Sequence, residues 1–208
     1  MKFLIDTQRD TLREKCQQFP ELVLGQLLTP LTRYSCWDGL FAIDNGAFSG
    51  FKREDFHSLL AREQPNKDRC KFVSVPDIVG NGRRTLELWK HRHDWVRGWP
   101  LALVLQNGVE DFEIPWDEMQ AVFIGGVDPW KESAACADLI KTAKTLGKWV
   151  HIGRINTKQR FKLFLELGAD SCDGSGIARY DHMLINIHRA LTQNPQPTLF
   201  DESCSDDQ

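Results

Sequence analysis

A chain of 208 residues with 41% hydrophobic content can bury one substantial core and is short for two independent domains. Its formal net charge of −3 excludes a uniformly basic nucleic-acid binder, so any attraction to phosphates has to come from a local cationic face. The cysteines Cys16, Cys36, Cys70, Cys136, Cys172 and Cys204 form no CxxC pair and no zinc-type spacing, which makes them small hydrophobes and calls for no metal and no cofactor.

At the start of the chain, Met1-Lys-Phe-Leu-Ile meets a charge at Asp6 before a signal-peptide apolar region develops, and no apolar run approaches the roughly 20 residues of a membrane helix. A reducing, cytoplasmic setting with no membrane partner is expected. Short runs rich in Val, Ile, Leu and Phe then alternate with amphipathic stretches, the pattern of a parallel sheet covered by helices. Strands are predicted over residues 3–5, 22–27, 40–43, 70–75, 101–105, 121–124, 149–152 and 169–172. Helices are predicted over 9–17, 53–63, 83–97, 131–146, 158–167 and 182–191, whereas 29–38 and 110–118 are too short or too Pro-rich for full helices.

Eight strands with mostly helical crossovers favour an α/β fold of the small (β/α)8 TIM-barrel kind, with active residues on the loops that follow the strands. An open doubly wound sheet would bind ligand at the same strand ends. The domain is expected to span residues 1–192, and the acidic tail over 193–208 has little to pack and is expected to be disordered.

Polar groups recur where the apolar runs end. Asp44 ends Leu40-Phe-Ala-Ile, Asp77 ends Phe72-Val-Ser-Val-Pro, Gln106 ends Leu101-Ala-Leu-Val-Leu, Gly125-Gly126 end Ala121-Val-Phe-Ile, and Asp173 follows Ala169-Asp-Ser-Cys. Carboxylates crowded at buried strand ends have their pKa values pushed apart, giving one ionised nucleophile or base and one protonated acid. A carboxylate of such a pair can attack a sugar's anomeric carbon, splitting one displacement into two through a covalent glycosyl intermediate. For any single aspartate the competing reading is a cap on the next helix, and Asp77 and Asp128 are the strongest cases.

Four stretches together resemble one family. Trp37-Asp-Gly-Leu-Phe-Ala-Ile-Asp-Asn-Gly-Ala-Phe48, Val104-Leu-Gln-Asn-Gly-Val-Glu-Asp111, Ile124-Gly-Gly-Val127 and Gly168-Ala-Asp-Ser-Cys-Asp173 are similar, in order, to motifs of the tRNA-guanine transglycosylases. The resemblance runs from about Leu22 to about Arg179 and implies a (β/α)8 barrel that exchanges guanine in a polynucleotide for a 7-deazaguanine such as preQ0 or preQ1. Carried over by position, Asp173 is the nucleophile on C1′ and Asp44 the general acid/base. Asp77 binds the purine edge, with Gln106 and the backbone of Gly126 reading its carbonyl and Gly125 beside it in the substrate-binding set. Asn45 and Phe48 join the substrate-binding set, and Phe48 with Val109 is expected to sandwich the base.

The family's zinc site of three cysteines and a histidine has no counterpart after Asp173, where only Cys204, His182 and His188 remain, and its long insertions are missing. A barrel without that zinc subdomain resembles the phage and bacterial relatives that place 7-deazaguanines into DNA. DNA is therefore the expected nucleic-acid partner and tRNA the alternative, in the cytoplasm of a bacterium or phage-infected host, with a partner protein possible. A hydrolytic nucleosidase and a non-catalytic accessory subunit are the competing functions.

Lys52 and Arg53, Arg83 and Arg84, Arg154 and Lys158, and Arg179 all follow strands and are candidate contacts to the nucleic-acid backbone, against the reading of solvated surface charge. His91 and His93 read as exposed or phosphate-facing rather than metal ligands. Trp89, Trp95, Trp99 and Trp116 read as packing residues. Cys172 should face away from Asp173, because side chains alternate along a strand.

Overall fold

The structure, a computed structural model, describes residues 1–174 and 185–186. Arg179, the helix expected over 182–191 and the acidic tail lie outside the described residues. The apolar runs form eight strands: β1 (Lys2–Ile5), β2 (Leu24–Leu28), β3 (Phe41–Ile43), β4 (Cys70–Ser74), β5 (Leu101–Leu105), β6 (Ala121–Ile124), β7 (Trp149–Ile152) and β8 (Ser171–Cys172). Each pairs in parallel with the next in the sequence, and β8 pairs with β1, closing a barrel. The chain is a small (β/α)8 barrel, and the open-sheet alternative falls.

Alternation along the strands builds two apolar layers. Leu4, Leu27, Ala42, Phe72, Ala102, Val104, Ala121 and Phe123 fill the barrel interior. Phe3, Ile5, Leu28, Phe41 and Ile43 point outward, into the core shared with the helices. Cys172 belongs to that outer core, on the opposite face from its neighbours Ser171 and Asp173, as the strand period requires.

The helices are α1 (Arg9–Gln18), α2 (Arg53–Glu63), α3 (Gly82–Arg92), α4 (Ala134–Thr145) and α5 (Lys158–Glu166). The stretch expected to be one helix over 83–97 ends at Arg92 and tightens into a 3₁₀ turn, His93–Val96. Side chains of Asn81, Ser133 and Thr157 cap α3, α4 and α5 by accepting from Arg84 N, Cys136 N and Arg160 N. The aspartates are thereby released from capping. Asp128, expected to be a cap, instead pairs with Arg160 Nη2 at 2.6 Å.

Two crossovers lack an α-helix, as expected, and polar side chains tie them down. Buried Gln26 donates through Nε2 to Thr7 O at 2.7 Å and accepts from Trp37 N at 2.8 Å, stitching the β2–β3 connection to the barrel. The β5–β6 connection is held by two indoles, Trp89 Nε1 donating to Glu118 Oε2 at 2.7 Å and Trp130 Nε1 to Glu110 Oε1 at 2.9 Å. Trp89 and Trp99 are buried, the packing role expected of them, whereas Trp95 and Trp116 are half-buried. No described helix is long and apolar enough to cross a membrane.

Replacing Gln26 by Leu leaves the half-buried Trp37 N–H and Thr7 carbonyl without this partner, which costs about 1 kcal/mol or more. Urea denaturation of Gln26→Leu should show that loss; a variant as stable as the parent would show that water reaches these groups.

Candidate active site

The C-terminal ends of the strands surround one cavity of about 340 Å³, near the small end of the roughly 300–1,000 Å³ typical of small-molecule pockets. Asp44, Asn45, Phe48, Asp77, Gln106, Gly125, Arg154 and Asp173 all line it, on a floor of Leu4, Leu27, Val104 and Phe123 from the barrel interior. Residues separated by some 130 positions thus meet, because a closed parallel barrel aims every strand end at one mouth.

Asp173 continues β8, its N–H donating to Ile152 O at 3.1 Å while its own carbonyl accepts from Ile155 N. Its carboxylate is clamped at both oxygens. Arg154 N donates to Oδ1 at 2.9 Å and His151 Nε2 lies 3.0 Å from Oδ2. Arg154 can aim its N–H there because it sits at φ 61°, a left-handed conformation unusual for a residue with a side chain and concentrated at functional sites. Its guanidinium donates to Gly125 O at 3.1 Å and lies 4.3 Å over the ring of Phe48, which is 67% exposed at the mouth.

Asp44 has fewer partners. Ser74 Oγ donates to Oδ1 at 3.2 Å and Gly46 N sits at 3.5 Å from the same oxygen. Burial, then the negative charges of Asp173 and Asp77, push the Asp44 carboxyl up to about 7, against the pull of those two hydrogen bonds. Asp44 can therefore hold a proton far closer to neutral pH than an ordinary aspartate does.

Asp77 is buried and accepts from Asn45 Nδ2 at 2.9 Å through Oδ1 and from Gln106 Nε2 at 2.6 Å through Oδ2. Burial raises its pKa, and these amide donors oppose the rise. Gly80 N donates to Gln106 Oε1 at 2.8 Å, which fixes the amide with its nitrogen toward Asp77 and leaves it one further N–H. Asn45 is likewise tied, to Val75 O at 2.9 Å and to Ala47 N at 2.7 Å. Gly125 is required where it stands, since a Cβ would lie 2.5 Å from Val104 Cγ1 and 2.8 Å from Gln106 Nε2.

Some expected participants stand elsewhere. The N–H groups of Gly125 and Gly126 both donate to Leu105 O, at 3.0 and 3.1 Å, so neither is free to read a ligand carbonyl, and Gly126 packs against Trp130 outside the cavity. Val109 is buried against Gly82 and cannot sandwich a base with Phe48. Arg83 pairs with Glu87 at 3.2 Å and lines a lateral groove beside α3. Arg53 stacks 4.5 Å over Trp95, and Lys52 and Lys158 are exposed at the starts of α2 and α5. Among the described residues, Arg154 is the one cation lining the cavity. His91 is exposed, and His93 stacks on Trp89 with Nδ1 2.8 Å from Trp89 O.

Three residues escape the sequence reading. Asp6 lines the cavity at the end of β1 and accepts from the Tyr34 hydroxyl; the rule that found the other strand-end aspartates applies to it equally. Ser74 and His151 lie inside strands, where a single polar residue gives no signal until its neighbours are known. A scan against protein-family models and a search of curated proteins return no match to this chain.

The Asp44 proton has a consequence for stability. An unfolded Asp releases its proton near 3.9 and the folded one near 7, so stability is fully present below ~4 and is lost as pH rises through about 7. Asp44→Asn should therefore melt at a higher temperature than the parent at pH 8 and gain nothing at pH 4. Equal shifts at the two pH values would mean that the carboxyl titrates normally.

Proposed function

We propose that the chain is a base-exchange glycosyltransferase resembling the tRNA-guanine transglycosylases, replacing guanine by a 7-deazaguanine in DNA through a covalent adduct on Asp173. The supporting observation is the unequal pair in one cavity: Asp44, pushed up to about 7, and Asp173, its oxygens held by Arg154 N and by His151 Nε2. In the first step an Asp173 oxygen bonds to C1′ as the bond to the purine N9 breaks. The leaving electron pair takes the proton of Asp44. In the second step N9 of the incoming base bonds to C1′, the Asp173 ester breaks, and the N9 proton passes to Asp44. Atoms and charges balance over the cycle.

Base choice follows from what remains unpaired. Each oxygen of Asp77 already accepts one N–H and has a further lone pair for the ring N–H and exocyclic amine of guanine. The second amide hydrogen of Gln106 serves its carbonyl, the role that the Gly126 backbone does not fill. Adenine would leave these groups unsatisfied. A base stacked in a duplex has to be flipped out to reach this cavity, at a cost of about a few kcal/mol, and Phe48 under the Arg154 guanidinium forms an apolar lip beside it.

One observation favours a second reading, a hydrolytic nucleosidase. Asp6, Asp44, Asp77 and Asp173 line the cavity against Arg154 alone among the described cations, a setting that suits a neutral nucleoside better than a phosphate. Incubation with guanine-labelled DNA or tRNA separates the readings. Label release that requires added 7-deazaguanine indicates exchange, and the polymer that releases it identifies the substrate; release without added base, or from free guanosine alone, indicates hydrolysis. Asp173→Asn should abolish release while retaining base binding, and normal turnover by that variant would remove Asp173 from the mechanism.

A further inference from the structure

Beneath Asp173 a line of hydrogen-bonding side chains runs down the barrel interior. Trp149 Nε1 donates to Ser171 Oγ at 2.8 Å, Ser171 Oγ lies 2.9 Å from His151 Nδ1, and His151 Nε2 lies 3.0 Å from Asp173 Oδ2. The three side chains come from adjacent strands: Trp149 and His151 from β7, Ser171 from β8, with His151 and Ser171 in direct register. His151 and Ser171 have no exposed surface, and the imidazole is wedged between the rings of Phe72 and Phe123, at 5.0 and 4.6 Å between centroids. His151 does not itself line the cavity; among the described residues it meets the site through Asp173.

The donors and acceptors fix the direction of the line. An indole N–H can only donate, so Ser171 accepts from Trp149 and has one O–H to give. Its neighbour with a free acceptor is His151 Nδ1. The imidazole proton then stands on Nε2, where it meets the Asp173 carboxylate. In this arrangement every hydrogen along the line has an acceptor. The opposite tautomer would leave the Ser171 hydrogen without this partner and set a bare imidazole lone pair against a carboxylate oxygen.

We infer that His151 is the positioning residue for Asp173, held as the Nε2–H tautomer by Ser171 and Trp149. With Arg154 N on the other oxygen, it locks the carboxylate's rotation, so that the nucleophile is presented to the sugar carbon without reorganising at the moment of attack. The inference rests on the proposed nucleophilic role of Asp173. A carboxylate free to rotate loses catalysis rather than binding, because base recognition belongs to Asp77 and Gln106 on other strands.

The test combines kinetics with a measurement that needs no turnover. His151→Leu should lower kcat for guanine release by about 10²-fold with KM and guanine affinity within about twofold of the parent. His151→Gln, which can still present an N–H toward Asp173, should recover most of that loss, and Ser171→Ala, a small change that need not disturb folding, should lower kcat with KM unchanged. In ¹⁵N-histidine-labelled parent protein, long-range ¹H–¹⁵N spectra assigned by difference with His151→Gln should show His151 as the Nε2–H tautomer. A parent His151 protonated at Nδ1 alone overturns the inference whatever the reaction proves to be. Normal kcat in His151→Leu and Ser171→Ala, with Asp173→Asn inactive, overturns it while leaving the glycosyltransferase reading standing. The predicted tautomer in a protein that releases no guanine would support the positioning line and count against the proposed reaction.

Discussion

Bringing several carboxylates into one small cavity is electrostatically unfavourable, and the site takes its character from how that repulsion is distributed. Desolvation and like charge both favour the neutral acid, while each N–H donor favours the carboxylate. Asp173 receives two such donors and Asp77 two amides, whereas Asp44 has a hydroxyl and one long contact from Gly46. Burial and the neighbouring charges accordingly raise the Asp44 carboxyl to about 7. In the proposed reaction an acid and a nucleophile made of the same functional group are differentiated by their surroundings, the general way in which one fold supplies both at neutral pH.

The barrel sets up this distribution through its backbone. Short loops continue the ladder past the strand ends: Asp173 N donates to Ile152 O, Ile155 N to Asp173 O, and Asp44 N to Leu28 O at 2.8 Å. The left-handed turn at Arg154 adds an N–H aimed at a side chain. Glycine supplies the space, most clearly at Gly125 and at Gly174, where a Cβ would lie 2.1 Å from Ile155 O. The rigid interior of Phe72 and Phe123 lies beneath and holds the His151 ring in place.

Much of this was legible in the sequence, because parallel strands buried on both faces leave unbroken apolar runs and the next polar residue marks the mouth. Asp44, Asp77, Gln106 and Asp173 were found on that rule, and Asp6 obeys it too. The rule says nothing of polar residues inside a strand, so Ser74 and His151 emerged only when register placed Ser74 beside Asp44 and His151 beside Ser171. Backbone donors failed for a related reason, since the family resemblance sets the Gly125-Gly126 backbone against a purine carbonyl while their N–H groups extend the sheet. Cations were the least legible. A strand-following position does not fix where a long side chain goes, and Arg83 and Arg53 turn to Glu87 and Trp95 instead of the mouth.

The division of labour between Asp44 and Asp173 is open to direct observation by ¹³C NMR of the aspartate carboxyl carbons across pH. The Asp44 carboxyl should titrate near 7 in the parent and move down when Asp173 is replaced by Asn, since one of the charges that raises it is gone. A carboxyl that titrates near the ordinary ~4 in both proteins would contradict the account, because Asp44 would then hold no proton to give.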